Sequence, residues 1–339
     1  MRRTLCILLA AAVAPATARA HDFWIEPGRA RPAPATPLSI TAFIGHADEV
    51  QAYPRNPDHI RRLELLRLLD GGTFEARALA GLDGRLPTGR SSVCEAGTYV
   101  AVYRSHPSAL ELPAERFEGY LEEVGLERIV AARARLGETQ APGTEAYERC
   151  AKALVQVGEA ASTLPGPVGG LPLEITALEI TALELAPERA VPRPSAASDG
   201  GATRWRLRAS VACEGAPVEG LLVQAHSLGE AERPVPEVPS ALPAGARPSR
   251  TLAARTDARG EVELVLERPG PWYLSTVHME RADPGPIGSG ASSGSGSAGE
   301  SSVGESSVAW RSWWASLWFD LSPTDPARAV PDRARGSAH

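Results

Sequence analysis

Apolar and polar positions alternate with a period of two along much of this chain, which predicts strands. Residues 22–26 form one short stretch of this kind. Leu38–Ile44 (LSITAFI) is β-branched and apolar, so it reads as a buried strand that ends at Gly45-His46. Arg61–Leu69 and Phe74–Leu79 are spaced to pair as a hairpin around Asp70-Gly71-Gly72. Gly97–Tyr103 alternates cleanly. In the second half the strands are Trp205–Val211, Val218–Ala225, Glu261–Leu266 and Trp272–Val277, with Thr256–Gly260 as a tight turn. Trp310–Leu321 closes the series. There Trp313, Ala315, Leu317, Phe319 and Leu321 point one way, and Trp314, Ser316, Trp318 and Asp320 the other. That strand carries four of the seven tryptophans, and its pattern favours core packing over a sugar-stacking platform.

Two stretches depart from this period. Pro113–Leu136 and Thr144–Val157 carry Glu/Arg pairs and helical spacing, which predicts a helical insertion over about residues 113–157. Leu164–Gly170 is rich in Pro and Gly and marks a boundary. The expected fold class is therefore mainly β, in two modules. Residues 21–165 form an N-terminal β domain with the insertion, and residues 171–322 a C-terminal β module. Residues 283–307 are Gly/Ser-rich and read as a flexible loop, and 323–339 as a disordered tail. Glu174–Leu178 is repeated as Glu179–Leu183. Five is an odd number, so an added unit shifts a strand's face, and one copy is expected to bulge or leave the sheet.

The first twenty of the 339 residues change the setting. Arg2 and Arg3, an apolar run from Cys6 to Val13, and Ala18-Arg19-Ala20 match a secretory signal cleaved after Ala20. The run is too short to span a bilayer, which takes roughly 20 residues. The expectation is a periplasmic or secreted chain with no transmembrane segment once processed. The formal net charge of −6 argues against a nucleic-acid partner. Lys152 is the only lysine; the other basic residues are arginines. Cys94, Cys150 and Cys213 remain after cleavage, an odd number, so one chain allows one disulfide at most. Cys94 with Cys150 is the pairing expected, because both lie in the first half; three buried thiols are the alternative.

The chemistry centres on His21. Cleavage after Ala20 would make it N-terminal, so that its α-amine and imidazole could chelate one metal ion together. The amine has a pKa near ~7.7–8.0, so a metal can displace its proton around neutral pH. Nitrogen donors suit Ni(II), Co(II), Cu(II) and Zn(II), with Cu(II) favoured by raw affinity; Ni(II), Co(II) or Cu(II) is the ion expected. In first position His21 cannot use several preceding amides, so further ligands must come from elsewhere. His46 and His278, each beside an expected strand, are the candidates. Asp22 and Glu26 would add oxygen or orient an imidazole. His59, His106, His226 and His339 lack comparable context and read as loop or surface residues. No nucleophile elbow, phosphate loop or HExxH motif is present, so the chain does not read as an enzyme.

Several segments together resemble one family. They are His21-Asp22-Phe23-Trp24, Phe43-Ile44-Gly45-His46, Tyr147–Leu154, Pro172–Ile175, Thr256–Gly260, Pro269–Trp272, Val277-His278-Met279 and Trp314–Leu317. In this order, from residue 21 to about 321, they resemble domain-of-unknown-function family 4198, exported proteins grouped with periplasmic components of nickel and cobalt uptake. The resemblance implies immunoglobulin-like or transthyretin-like β-sandwich modules, a role in handling transition metals, and an envelope transporter or outer-membrane receptor as partner. Two other functions fit the same residues. One is a non-catalytic envelope scaffold or glycan- or protein-binding module. The other is a copper oxidase with a histidine brace.

Overall fold

The computed structural model describes residues 22–45, 50–159, 164–183, 204–228, 251–282 and 309–321. The signal segment, His21, His46, the Gly/Ser-rich loop at 283–307 and the tail at 323–339 lie outside the described residues.

The chain is mainly β. Strands β1 (Asp22–Pro27), β2 (Thr36–Gly45) and β3 (Val50–Tyr53) form an antiparallel meander. Next, β4 (Ile60–Leu68) and β5 (Phe74–Ala78) make the expected hairpin. The short β6 (Gly89–Cys94) returns to β2, while β7 (Gly97–Ser105) pairs with β4. After β8 (Ser108–Leu112) come two helices, α1 (Ala114–Glu123) and α2 (Glu127–Leu136), and then β9 (Gly143–Val157). A second small sheet is built from β10 (Leu173–Leu183), β11 (Arg204–Cys213), β12 (Ala216–Pro217) and, further along, β15 (Glu261–Leu266). The remaining strands, β13 (Leu222–Ser227), β14 (Thr251–Arg255), β16 (Pro271–Arg281) and β17 (Trp310–Asp320), join a nine-stranded central sheet. Its order is β14-β13-β16-β17-β9-β7-β4-β5, with β8 added beside β9.

That order joins the two expected modules through one sheet. Within the central sheet β17, from the C-terminal part, lies parallel to β9, from the N-terminal part, and antiparallel to β16. The two halves therefore share one sheet. Its two faces bear separate cores. Leu66, Val100, Val102, Cys150, Leu274 and Leu317 pack against the sheet of β10, β11 and β15. Leu65, Ala101, Tyr103, Ala153, Tyr273 and Trp318 pack against β1, β2 and β3. Alternation assigns these residues as neighbours on each strand with opposite directions.

β9 was expected to be helical and is a 15-residue strand. The reason is its position. Cys150, Ala151, Lys152 and Ala153 are all buried, because both faces of this strand are covered. Burial on both sides removes the polar half of the alternation. What remains is an Ala-rich segment with interspersed Glu and Arg, which imitates a helix. The first predicted helix is present, split at Gly125. That residue has φ +72°, and an added Cβ there would meet Leu222 at 2.7 Å. Phe117, Tyr120 and Leu121 form the buried stripe of α1.

The duplicated pentapeptide behaves as expected. Ala177 pairs with Ala209 and Glu179 with Arg208, so Leu178 is the extra residue of a bulge. The bulge cancels the odd repeat. Ile175 faces the core, and Ile180, five residues later, still packs against the same cluster. Three of the four tryptophans of β17, Trp310, Trp313 and Trp318, are buried core residues with no face to offer a sugar, and the half-buried Trp314 stacks on Tyr120.

Under α1, Glu145 is wholly buried on β9. It accepts hydrogen bonds from the Tyr120 hydroxyl at 3.1 Å and from the Ser312 hydroxyl. Burial raises its carboxyl pKa, against the opposing pull of these hydrogen bonds. A raised folded-state pKa means that the native protein holds the proton more tightly. The associated stability is fully present below the unfolded pKa of about 4.3 and is lost as pH rises through the folded value. Glu145→Gln, neutral at every pH, should therefore gain on the wild type as pH rises from 4 to 8. Melting temperatures across that range check this; curves that run parallel contradict it.

Candidate functional site

The start of β1 is where the structure gathers polar and aromatic groups of distant origin. β1 forms because Phe23, Trp24 and Ile25 are all buried, and it pairs with β2 from Asp22↔Gly45 to Pro27↔Ile40. Asp22 is thus the first described residue of a ladder whose end it shares with Gly45. His21 and His46 are the chain neighbours of these two residues.

Asp22 is held from the central sheet. Its Oδ2 accepts a hydrogen bond from the Tyr273 hydroxyl at 3.0 Å and lies 3.5 Å from His226 Nε2. The same nitrogen is 3.3 Å from the Ser275 hydroxyl, and Nδ1 is 3.4 Å from that of Thr251. An Nε2–H tautomer satisfies this set, with the carboxylate accepting and Thr251 donating. The rings form a column. His226 stacks on Tyr273 at 4.5 Å and 13°, and Tyr273 on Trp24 at 4.5 Å and 2°. Trp24 then stacks on Phe43 at 5.7 Å and 20°. Strands β13, β16, β1 and β2 each contribute one ring, so the column ties the N-terminal meander to the central sheet. Trp24 donates its indole N–H to Glu26 Oε1 at 2.7 Å.

These contacts sort the expected residues. Asp22 is at the site. Glu26 is not: it lies four residues further along β1, about 13 Å at ~3.3 Å per residue, and it accepts from Trp24. His278 is not brought there either. It is five residues beyond Tyr273 on β16, about 17 Å along the strand, and an odd offset turns it to the opposite face. Its Nδ1 accepts a hydrogen bond from Arg128 Nη2 at 2.6 Å, while the same Nη2 also donates to the Met279 carbonyl at 3.0 Å. An arginine only donates, so Nδ1 must present its lone pair and Nε2 must carry the proton. Both nitrogens are then spent or protonated, and the ring stacks on Trp313 at 5.8 Å. Burial, reinforced by the Arg128 charge, pushes its pKa down to about 4. His278 is a neutral, structural histidine.

The expected disulfide is also absent. Cys94, Cys150 and Cys213 are free thiols. Cys94 belongs to the core beneath β1 and β2, whereas Cys150 faces the other core, on the far side of the central sheet. Burial pushes the Cys150 thiol up to about 12 and that of Cys213 up to about 11, so neither favours a thiolate at neutral pH.

His226 is the residue that sequence reasoning missed. β13 extends two residues past Ala225, where the reading ended it, and its alternation carries His226 into a buried position. Its partner Tyr273 was visible only as part of a strand. Among the described residues no group of three His, Cys, Asp or Glu side chains is placed to hold a metal, and no helix is long and apolar enough to cross a membrane.

None of the curated proteins matches this chain. A family model does match, over residues 18–280; this span includes β1, the whole aromatic column and all of β16 but its last residue, and not β17. The match covers well over half of the 339 residues, and the chain therefore belongs to the family described as "Domain of unknown function (DUF4198)".

Proposed function

We propose that this protein is exported, is cleaved after Ala20, and binds a divalent transition metal ion, Ni(II), Co(II) or Cu(II), as cargo at the start of β1. The observation that carries the reading is the Asp22↔Gly45 pair. It ties the chain neighbours of His21 and His46 to one end of one ladder, and the same end holds the Asp22 carboxylate and the His226 ring. His21 would supply its amine and imidazole, and His46 a second imidazole. Asp22 would supply an oxygen or the outer-shell acceptor that orients a ring. The donor set is nitrogen-rich with one carboxylate, which suits these three ions better than a thiolate-seeking one. Delivery to an envelope transporter or receptor would follow from export.

Calorimetric titration with NiCl2, CoCl2 and CuSO4 of the chain that begins at His21 tests this. His46→Ala should weaken binding by about 100-fold or more, beyond the ~10–100-fold that losing an outer-shell partner costs. His278→Ala should leave it unchanged. The reverse pattern, with His278 required and His46 dispensable, contradicts the proposal.

A further inference from the structure

Beside the same strand lies a cation with no acid to match it. Arg149, on β9, is only partly exposed. Its guanidinium carbon sits 5.1 Å from the ring centre of Phe23 and 5.1 Å from that of Tyr147. The clamp is built by the fold. Tyr147 is two residues back on the same strand and so shares its face, while Phe23 comes from β1. The backbone N–H of Arg149 is fixed by the Ser105 hydroxyl at 2.9 Å. Phe23 is held in turn by Tyr103 at 4.8 Å and by an edge contact with Tyr53 at 6.0 Å.

Among the described residues Arg149 makes no ion pair. The nearest acid along the strand, Glu148, points to the opposite face, where Arg104 holds it at 2.7 Å. Several other buried or half-buried arginines are neutralised. Arg133 has Glu118 at 2.6 Å, Arg67 has Glu95 at 2.5 Å, and Arg62 has Glu64 at 2.9 Å. Arg149 has aromatic faces in place of a carboxylate. Its guanidinium reaches the neighbouring phenol: burial raises the pKa of Tyr53, and the charge of Arg149 and its hydrogen bond to the Tyr53 hydroxyl pull it back down. The rim is completed by Tyr53 and the exposed His59 to which it is hydrogen-bonded.

We infer that Arg149 is the recognition group of a second binding site, which takes a small organic carboxylate. Stacking on two rings, with one hydrogen bond to the Tyr53 hydroxyl, leaves the remaining N–H donors of the guanidinium edge as the part that can face a ligand. That fork matches a planar carboxylate in two parallel hydrogen bonds. The rings on either side fix its plane, so little ordering remains to be done on binding. One guanidinium balances one negative charge, and a chain of net charge −6 disfavours more highly charged anions. A monocarboxylate is therefore preferred to phosphate. The site does not depend on a bound metal, since none of its groups is a proposed ligand.

The test uses metal-free full chain at constant ionic strength, titrated with sodium acetate and, separately, with sodium phosphate. Nitrogen-detected shifts of the arginine Nε–H groups locate binding in the wild type, and calorimetric titration compares the affinity of the wild type and the variants. Acetate should produce a saturable shift at Arg149. In Arg149→Lys, which keeps the charge but lacks the planar fork, binding should weaken by about 10-fold or more. In Arg149→Met it should vanish. If the methionine variant does not fold, the wild type and the lysine variant decide alone. Acetate binding that survives unchanged in Arg149→Lys shows a merely structural arginine and overturns the inference. So does a wild-type shift that grows with acetate without saturating, and phosphate binding tighter than acetate overturns the carboxylate assignment.

Discussion

Glu174→Ala is expected to destabilise the protein by about 3–5 kcal/mol, the cost of leaving one member of a buried ion pair without its partner. Glu174 lies on β10 and Lys152 on β9, and they meet at 2.6 Å between the central sheet and the smaller one. Their side chains are only 8% and 3% exposed, so water cannot compensate for either charge. Glu174 also accepts the Val168 N–H at 2.7 Å, and Lys152 reaches Thr176 at 3.4 Å. Burial lowers the Lys152 pKa, opposed by Glu174, which is the cost the pair has to offset. Lys152→Met should be damaging for the same reason. The double variant Lys152→Met, Glu174→Met removes both charges and should recover most of the loss, since apolar replacement of a whole buried pair is often neutral. Urea unfolding of the three variants checks this. Losses below about 1 kcal/mol in both single variants would show that the pair is better solvated than the structure has it.

Trp24→Ala is the second large effect, with about 3–5 kcal/mol lost, as for other large aromatic residues removed from a core. Trp24 has no exposed surface and lies between Tyr273 and Phe43 in the ring column. Its removal would take away the contact that presses β1 onto the central sheet, and with it the position of Asp22. The variant should therefore lose metal affinity as well as stability. Trp24→Phe keeps a ring in the column and gives up mainly the indole hydrogen bond to Glu26, a net cost of about 0.5–1.5 kcal/mol. Thermal unfolding with near-ultraviolet circular dichroism separates the two. Equal losses in Trp24→Phe and Trp24→Ala would mean that the stack itself contributes little.

Much of the fold was legible because most strands keep one face toward a core and the other toward a different environment. β7 and β17 were read to within a residue or two, even though both faces of β17 are buried, because its two sets of aromatic and small residues still alternate. β9 was not legible. Small residues on both faces left no period, and its register with β17 depends on a strand more than 150 residues away. The shared sheet was hidden for the same reason, since nothing local says that Trp310–Asp320 inserts between β16 and β9. At the site, Asp22 could be singled out from its place beside His21. His226 could not, because its role comes from Tyr273 and Asp22, which are remote in sequence. His278 was misread in the opposite direction. A histidine in a strand suggests a ligand, until Arg128, 150 residues earlier, is seen to fix its tautomer.

The central claim is that a terminal amine is one of the metal's ligands, and this chain allows it to be tested cleanly. Lys152 is the only lysine and is buried against Glu174, so in the folded chain beginning at His21 a mild acylating reagent has one amine within reach. The decisive measurement is nickel and copper affinity by calorimetry before and after acylation of that amine, with the product verified by intact mass. The account predicts that acylation weakens binding by about 100-fold or more and that bound metal shields the amine from the reagent. Unchanged affinity in the acylated protein, with the amine equally reactive in the presence of metal, would contradict it.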